Sequence, residues 1–229
     1  MTAATRGAGN EAVTFDPAEH RYYVDGRWVR SVTQVLKLVT DYSAVPEFVL
    51  EYARVRGSNV HGWTELIDLG EATVSRDAIQ AADGVGLTPE HAEWGYVQAW
   101  QRFREESGFV PEVVEQLLYH PRHRYCGTVD RIGRINGRLT TLEIKTVAQL
   151  DNWVALQTAA YHEAYNHGLP RDEQAKGRVA VQLKGDGTYR VEVYRDAADL
   201  SVFLAMKHVW DWCDRNGTTP AIPAEKEQA

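Results

Sequence analysis

The chain has 229 residues, of which 25 are Lys or Arg and 32 are Asp or Glu, so its formal net charge is −7. An acidic balance of this size argues weakly against a protein that binds nucleic acid through its overall charge. Two cysteines, Cys126 and Cys213, are too few for a disulfide framework or for a four-cysteine iron–sulfur cluster.

The distribution of apolar residues predicts a single domain at residues 13–216. Residues 1–12 and 217–229 lack a periodic apolar pattern and are expected to be flexible tails. The sequence has no apolar run of membrane-spanning length, and its opening residues lack the apolar core of a secretion signal. We therefore expect no membrane contact and a cytoplasmic location.

The first predicted elements are two short strands on either side of Asp25-Gly26, a dipeptide that favours a tight hairpin turn. Ser31 follows as the expected start of a helix. The aromatic side chains of this hairpin could stack on nucleic-acid bases, but packing within the hairpin is the more common use of such residues.

Two longer helices are predicted next. The first covers residues 46–69 and contains Gly57, where the missing side chain permits a helix join or the close approach of the backbone to a ligand. The second begins at Thr88-Pro89, a cap followed by a proline at the first helical position, and ends at Gly108. A strand at residues 110–120 is expected to follow it.

A β-hairpin is the most informative part of the chain. Residues 126–135 and 138–145 are rich in β-branched residues, and the intervening Asn136-Gly137 is a strong hairpin signal. The first strand carries Asp130, and the second carries Glu143 and Lys145. Because strand side chains alternate with a period of two, Glu143 and Lys145 are predicted to share one face.

This combination of side chains has a chemical use. Two carboxylates at a strand pair can bind Mg²⁺ or Mn²⁺, and the cation can polarise a phosphodiester and lower the pKa of a bound water. A neighbouring ammonium can hold the attacking water or stabilise the charge of the transition state. The alternative is a surface hairpin that merely carries an Asp and a Glu-Lys pair, and for an isolated motif of this kind that alternative is the more common one.

Basic residues are concentrated in the same part of the chain. Residues 120–145 contain six cationic side chains against Asp130 and Glu143, a local excess of four positive charges. The six are Arg122, Arg124, Arg131, Arg134, Arg138 and Lys145. Since binding depends on the local field, an acidic protein can still hold phosphates here.

Another helix is expected after the hairpin, from a cap near Asp151 to about Asn166. Gln157 and Tyr161 lie four residues apart and therefore share one face of this helix. The other residues of that face are apolar. A buried Gln needs hydrogen-bond partners, although a tolerated Gln on an ordinary amphipathic helix remains the simpler reading. A third hairpin around residues 185–187 and a final helix ending near Arg215 complete the predicted elements.

Three short motifs together resemble the PD-(D/E)XK nuclease superfamily. Asp130 followed by Glu143-Ile144-Lys145 resembles the core of that superfamily. The Gln157 to Tyr161 spacing resembles the Q-x-x-x-Y motif of its RecB-like, phage-type exonuclease branch, and R-G-S-N-V-H, ending at His61, resembles the G-[ST]-x-x-H element of the same branch. The motifs occur in the order typical of the family.

The resemblance implies an α/β fold with a mixed central β-sheet flanked by helices, as in restriction endonucleases. It also implies that His61, Asp130, Glu143 and the carbonyl oxygen of Ile144 hold one or two Mg²⁺ or Mn²⁺ ions, with Lys145 beside the attacking water. By the same resemblance Gln157 and Tyr161 position the catalytic groups and the DNA backbone. Glu115 is a further candidate at the metal site, although a solvent-facing role in its strand is about equally expected.

The function implied is metal-dependent exonucleolytic hydrolysis of DNA, single- or double-stranded, from an end. The resemblance places it in phage or bacterial recombination or repair, with a possible recombination partner protein, in the host cytoplasm if the protein is phage-encoded. Three alternatives remain open. They are a DNA-binding module that grips DNA without cutting it, a structure-specific endonuclease, and a hydrolase of small phosphorylated substrates.

Overall fold

A computed structural model describes residues 13–16, 19, 21–70 and 92–220. Its first elements are β1 (Val13–Asp16), β2 (Arg21–Val24), β3 (Arg27–Val29), α1 (Val32–Leu36), α2 (Glu47–Leu69) and α3 (Ala92–Ser107). They are followed by β4 (Val110–His120), β5 (Tyr125–Ile135), β6 (Arg138–Lys145), α4 (Val154–Asn166), β7 (Gly177–Leu183), β8 (Tyr189–Val193) and α5 (Ala198–Asn216). The expected N-terminal tail, the helix start at Thr88-Pro89 and most of the expected C-terminal tail lie outside the described residues.

The strands form two sheets. A small antiparallel sheet has the order β1-β2-β3, and a larger sheet has the order β4-β5-β6-β7-β8. The larger sheet is antiparallel except between β6 and β7, which run parallel and are connected through α4. The predicted mixed sheet flanked by helices is therefore confirmed.

Both hairpin turns expected from the sequence have the backbone that their residues favour. Asp25 and Gly26 have φ angles of 49° and 73°, and Asn136 and Gly137 have φ angles of 50° and 78°. Two consecutive positive φ angles define the type I′ turn, whose twist matches that of the paired strands. The helix expected after Ser31 is also present, with a capping box between Ser31 and Gln34, but it ends at Leu36 after little more than one turn.

Helices cover both faces of the larger sheet. The side chains of β6 alternate between two apolar clusters, one on each face. Leu142 and Ile144 pack against α2 and α3. Leu139 packs with residues of α1, α4 and α5 on the other face. By the period-two alternation, Glu143 and Lys145 are on the face of Leu139.

A half-buried histidine links α4 to β6. His162 Nδ1 lies 3.0 Å from Thr141 Oγ1, and its Nε2 lies 3.0 Å from the side-chain nitrogen of Asn166. Two further hydrogen bonds to the backbone of Ala175 fix the orientation of that Asn166 amide, so its NH₂ group donates to His162. His162 must therefore be neutral. Burial, followed by the charge of Arg178, lowers its pKa to about 4.

Within the part of the chain that the structure describes, no helix has the length and apolar character needed to cross a lipid bilayer.

Candidate metal centre

The centre begins where β5 and β6 separate. Their antiparallel register ends at the Arg131–Leu142 pair, whereas β6 stays paired with β7 as far as Lys145. The Asp130 carboxylate occupies the space between the diverging strands and accepts a 2.7 Å hydrogen bond from the Ile144 backbone N–H. Because the N–H and C=O of one strand residue point to the same side, the Ile144 carbonyl also faces this space.

Glu115 enters the centre from the other side of β5, through an irregularity in β4. Val114 pairs with Arg131 and Gln116 pairs with Val129, but Glu115 between them has a φ of 44°. This left-handed conformation costs a residue with a Cβ atom about 1–2 kcal/mol. The register places Glu115 opposite Asp130, and its Oε1 lies 3.3 Å from Nδ1 of His61.

His61 comes from α2, which is held against the loop that follows β6. Arg56 donates a 3.0 Å hydrogen bond to the carbonyl of Thr146 in that loop. At Gly57, a Cβ atom would make an ordinary van der Waals contact with Thr146 Oγ1, at 3.7 Å. Gly57 lies within an unbroken helix, and the hydrogen bond of Arg56 brings the next turn of α2 to the separated strands.

Three potential metal ligands meet at this point. One ligand atom from each of His61, Glu115 and Asp130 lies within 4.8 Å of the others. His61 Nδ1 is 3.5 Å from Asp130 Oδ1. Two carboxylates suit Mg²⁺ or Mn²⁺, and one imidazole nitrogen is a donor that Mn²⁺ binds more readily than Mg²⁺ does.

Glu143, predicted as a metal ligand, is outside this group of three, although its charge and that of Lys145 act on Asp130. Lys145 Nζ donates a 2.8 Å hydrogen bond to Glu143 Oε1, as their shared face predicts. The other carboxylate oxygen, Glu143 Oε2, is buried and has no hydrogen-bond partner within the described residues. A buried carboxylate oxygen is normally satisfied, so its lack of a protein donor fits a cation as the missing partner.

The carboxylates of the centre act on one another and on His61 through their charges. Burial, with the nearby charge of Asp130, raises the pKa of Glu143 to about 7. Burial also raises the pKa of Asp130. For His61, burial lowers the pKa, but the charges of Asp130 and Glu115 outweigh burial and raise it to about 9. These shifts follow from burial and from the crowding of carboxylates around His61, and His61 has to lose its proton before its Nδ1 can bind a metal ion.

Arg131 corrects one expectation from the sequence. It was counted with the arginines near the hairpin that could hold phosphates, but its side chain is fully buried. Its Nε donates to Asp68 at 2.5 Å and its Nη1 donates to Glu115 at 2.8 Å. Arg131 therefore positions Glu115 and cannot reach a ligand from solvent.

Two other arginines of that group are also engaged. Arg134 pairs with Glu112 at 2.6 Å, and Arg138 donates to the backbone carbonyl of Lys176. The local excess of charge at the hairpin is accordingly smaller than the sequence indicated. Asp68, the main partner of Arg131, was not identified from the sequence. Asp68 lies seven residues after His61 and therefore on the same face of α2. This spacing is the feature of the sequence that could have predicted its position near the centre.

Gln157 and Tyr161 lie on α4 beneath the centre. A Cβ atom on Gly127 of β5 would lie 2.6 Å from Cε1 of Tyr161, so only glycine fits there. Burial and the charge of Glu143 raise the pKa of Tyr161 well above its usual range. Gln157 is buried as well, and its Oε1 has no hydrogen-bond partner among the described residues.

No protein-family model matches the chain, and no curated protein matches it. The solved structures that resemble it include an alkaline exonuclease from Laribacter hongkongensis, at 16% sequence identity and a TM-score of 0.32. That match covers 82% of this chain and 92% of the exonuclease. At such a distance, the chemistry has to be argued from the side chains of the centre.

Proposed function

We propose that this protein is a metal-dependent nuclease that hydrolyses phosphodiester bonds of DNA from an end. The observation that carries the proposal is the convergence of His61, Glu115 and Asp130, from α2, β4 and β5, within 4.8 Å. Glu143 and Lys145 lie next to them on β6. The helix α2 and the three consecutive strands β4, β5 and β6 thus bring three acids, an imidazole and an ammonium close together.

The donors favour Mg²⁺ or Mn²⁺ over softer metals, since most of them are oxygen atoms. In the proposed site the ion is held by His61, Asp130, Glu143 and the carbonyl of Ile144, and Glu115 supplies a further oxygen. A bound divalent cation supplies polarisation of the phosphodiester and a lower pKa for a nearby water.

Lys145 has the contacts expected of a group that stabilises a transition state. Burial lowers its pKa, but the charges of Glu143 and Asp130 outweigh burial and raise it, so the ammonium keeps its proton. One of its three N–H donors is used by Glu143, at 2.8 Å. The remaining donors can orient the attacking water or contact a phosphate oxygen as negative charge develops there.

The position of α2 supports the proposed requirement for an end. The hydrogen bond from Arg56 to Thr146 joins α2 to the loop after β6, so the gap between the separated strands is bridged on one side. His61 projects from the same helix into the centre. A strand terminus enters a gap bridged in this way more readily than a continuous duplex does. Such an activity would suit DNA recombination or repair, with or without a partner protein.

Degradation assays on DNA of different topology test the proposal. Labelled linear and covalently closed circular DNA, each single- and double-stranded, would be incubated with Mg²⁺, Mn²⁺ or EDTA. We expect linear DNA to be degraded to short products with either metal, closed circles to survive, and EDTA or Asp130→Asn to stop the reaction. Rapid nicking of closed circles would refute the end requirement. Tight DNA binding without cleavage would indicate a binding module instead.

A further inference from the structure

A basic groove lies away from the metal centre, at the end of the sheet where the β4–β5 turn meets β3 and α5. Its volume is about 460 Å³. Five cationic side chains line it, namely Arg30, Arg122, Arg124, Lys207 and Arg215. In a chain with a net charge of −7, five cations around one groove are a marked concentration of positive charge.

Two of the five cations are neutralised within the groove. Arg30 pairs with Asp214 at 2.6 Å, and Lys207 pairs with Asp211 at 2.5 Å. The other three, on the β4–β5 turn and at the end of α5, have no ion-pair partner among the described residues. The groove therefore presents about three uncompensated positive charges, which favour a ligand with several negative charges.

An aromatic ring, that of Trp28, lines the groove beside Arg30. The guanidinium carbon of Arg30 lies 4.7 Å from the ring centroid of Trp28 and 4.1 Å from that of Trp210. Trp28 remains 39% exposed, so part of its ring is available to a ligand. Cationic side chains beside an exposed aromatic ring are the combination by which proteins hold nucleic-acid strands.

The groove is connected to the metal centre by β5. This strand begins at Tyr125, directly after the turn, and reaches Asp130 five residues later. An extended strand rises about 3.3 Å per residue, so Tyr125 and Asp130 are about 17 Å apart. That separation corresponds to about five phosphates along one strand of a duplex. A nucleic acid engaged at the centre could therefore reach the groove, whereas a dinucleotide could not.

We propose that this groove binds the phosphodiester backbone of the DNA substrate about five phosphates from the bond that is cleaved. The proposal rests on the nuclease function proposed above, because it assigns to the groove the same polymer. Its arginines then determine how tightly long DNA is held, and they take no part in the chemistry at the metal centre.

The test separates affinity from chemistry. Arg122→Ser/Arg124→Asn removes two uncompensated charges, with Asn chosen because residue 124 has a φ of 52° that Asn tolerates. Arg171→Ser/Arg195→Ser is the matched control, since it removes two exposed arginines at the opposite end of the sheet. Affinity for a duplex of about 30 base pairs would be measured in EDTA at several salt concentrations. Hydrolysis of bis(p-nitrophenyl) phosphate would be measured separately, with the metal present.

We expect the groove variant to bind the duplex roughly tenfold more weakly or worse, with a salt slope lower by about 1.8, because two phosphate contacts are lost. The control variant should bind like the wild type, and all three proteins should hydrolyse the small diester equally. Unchanged affinity in the groove variant, or an equal loss in the control, would overturn the proposal. If the wild type cleaves no diester, the nuclease function fails, while the affinities still decide whether the groove binds DNA.

Discussion

The left-handed backbone of Glu115 leads to a prediction about stability. At a φ of 44°, a residue with a Cβ atom is strained by about 1–2 kcal/mol, and glycine is not. In an ordinary strand the preference is reversed, and glycine is less stable than alanine by about 0.5–1 kcal/mol. The two effects oppose each other at this position, and the strain is the larger.

Glu115→Gly and Glu115→Ala both delete the carboxylate that contacts His61 and Arg131, so the lost side-chain contacts are the same. The difference between the two variants then reports the backbone alone. We expect Glu115→Gly to be more stable than Glu115→Ala by about 0.5–1 kcal/mol. Both variants should lose most of their metal-dependent activity.

Urea denaturation of the two variants measures this difference, provided that their m-values agree. The same pair of substitutions at Val114, a regularly paired residue of β4, is the control, and there alanine should be the more stable. If alanine were equal to or more stable than glycine at position 115, the backbone there would not be strained.

Three further predictions concern single side chains. Lys145→Ala should retain Mn²⁺ affinity and slow the single-turnover rate by about a hundredfold or more, because one transition-state contact is lost. An unaltered rate would show that the lysine is only a surface charge. His61→Ala should lose more activity with Mg²⁺ than with Mn²⁺, because Mn²⁺ tolerates imperfect coordination better, and equal losses would remove the histidine from the metal site. The pKa of His162 is about 4 in the folded protein and 6.5 in the unfolded chain. Its contribution to stability is therefore complete above pH 6.5 and is lost as the pH falls from 6.5 through 4, because the unfolded chain binds the proton first. Relative to His162→Gln, the wild type should lose up to about 3 kcal/mol over that interval in denaturation experiments, and a constant difference would contradict the neutral state.

Local chemistry explains which parts of the fold the sequence could predict. Asp25-Gly26 and Asn136-Gly137 determine their turns through residues that tolerate positive φ, so the hairpins follow without knowledge of the rest of the chain. The alternation of β6 likewise predicts that Glu143 and Lys145 share a face. The parallel pairing of β6 with β7 is the expected result of a connection that contains a helix.

Features that depend on tertiary packing could not be predicted in this way. The left-handed conformation of Glu115 has no signal in its neighbours, since glutamate is not a residue that favours it. Arg131 resembles a solvent-facing cation in the sequence, and only the burial of Asp68 on α2 explains why its charge points inward. These two residues determine where one acid of the centre lies, so the motifs alone leave its geometry incomplete.

Calorimetric titration of Mn²⁺ into the wild type, Asp130→Asn and Glu143→Gln tests most directly whether these acids form a metal centre. Each variant replaces a charged oxygen ligand by a neutral amide of nearly the same size, so binding should weaken by roughly tenfold or more while the fold is retained. Circular dichroism would verify the fold. We predict saturable binding by the wild type and much weaker binding by both variants. Wild-type affinity in both variants, or no binding by the wild type, would contradict the assignment.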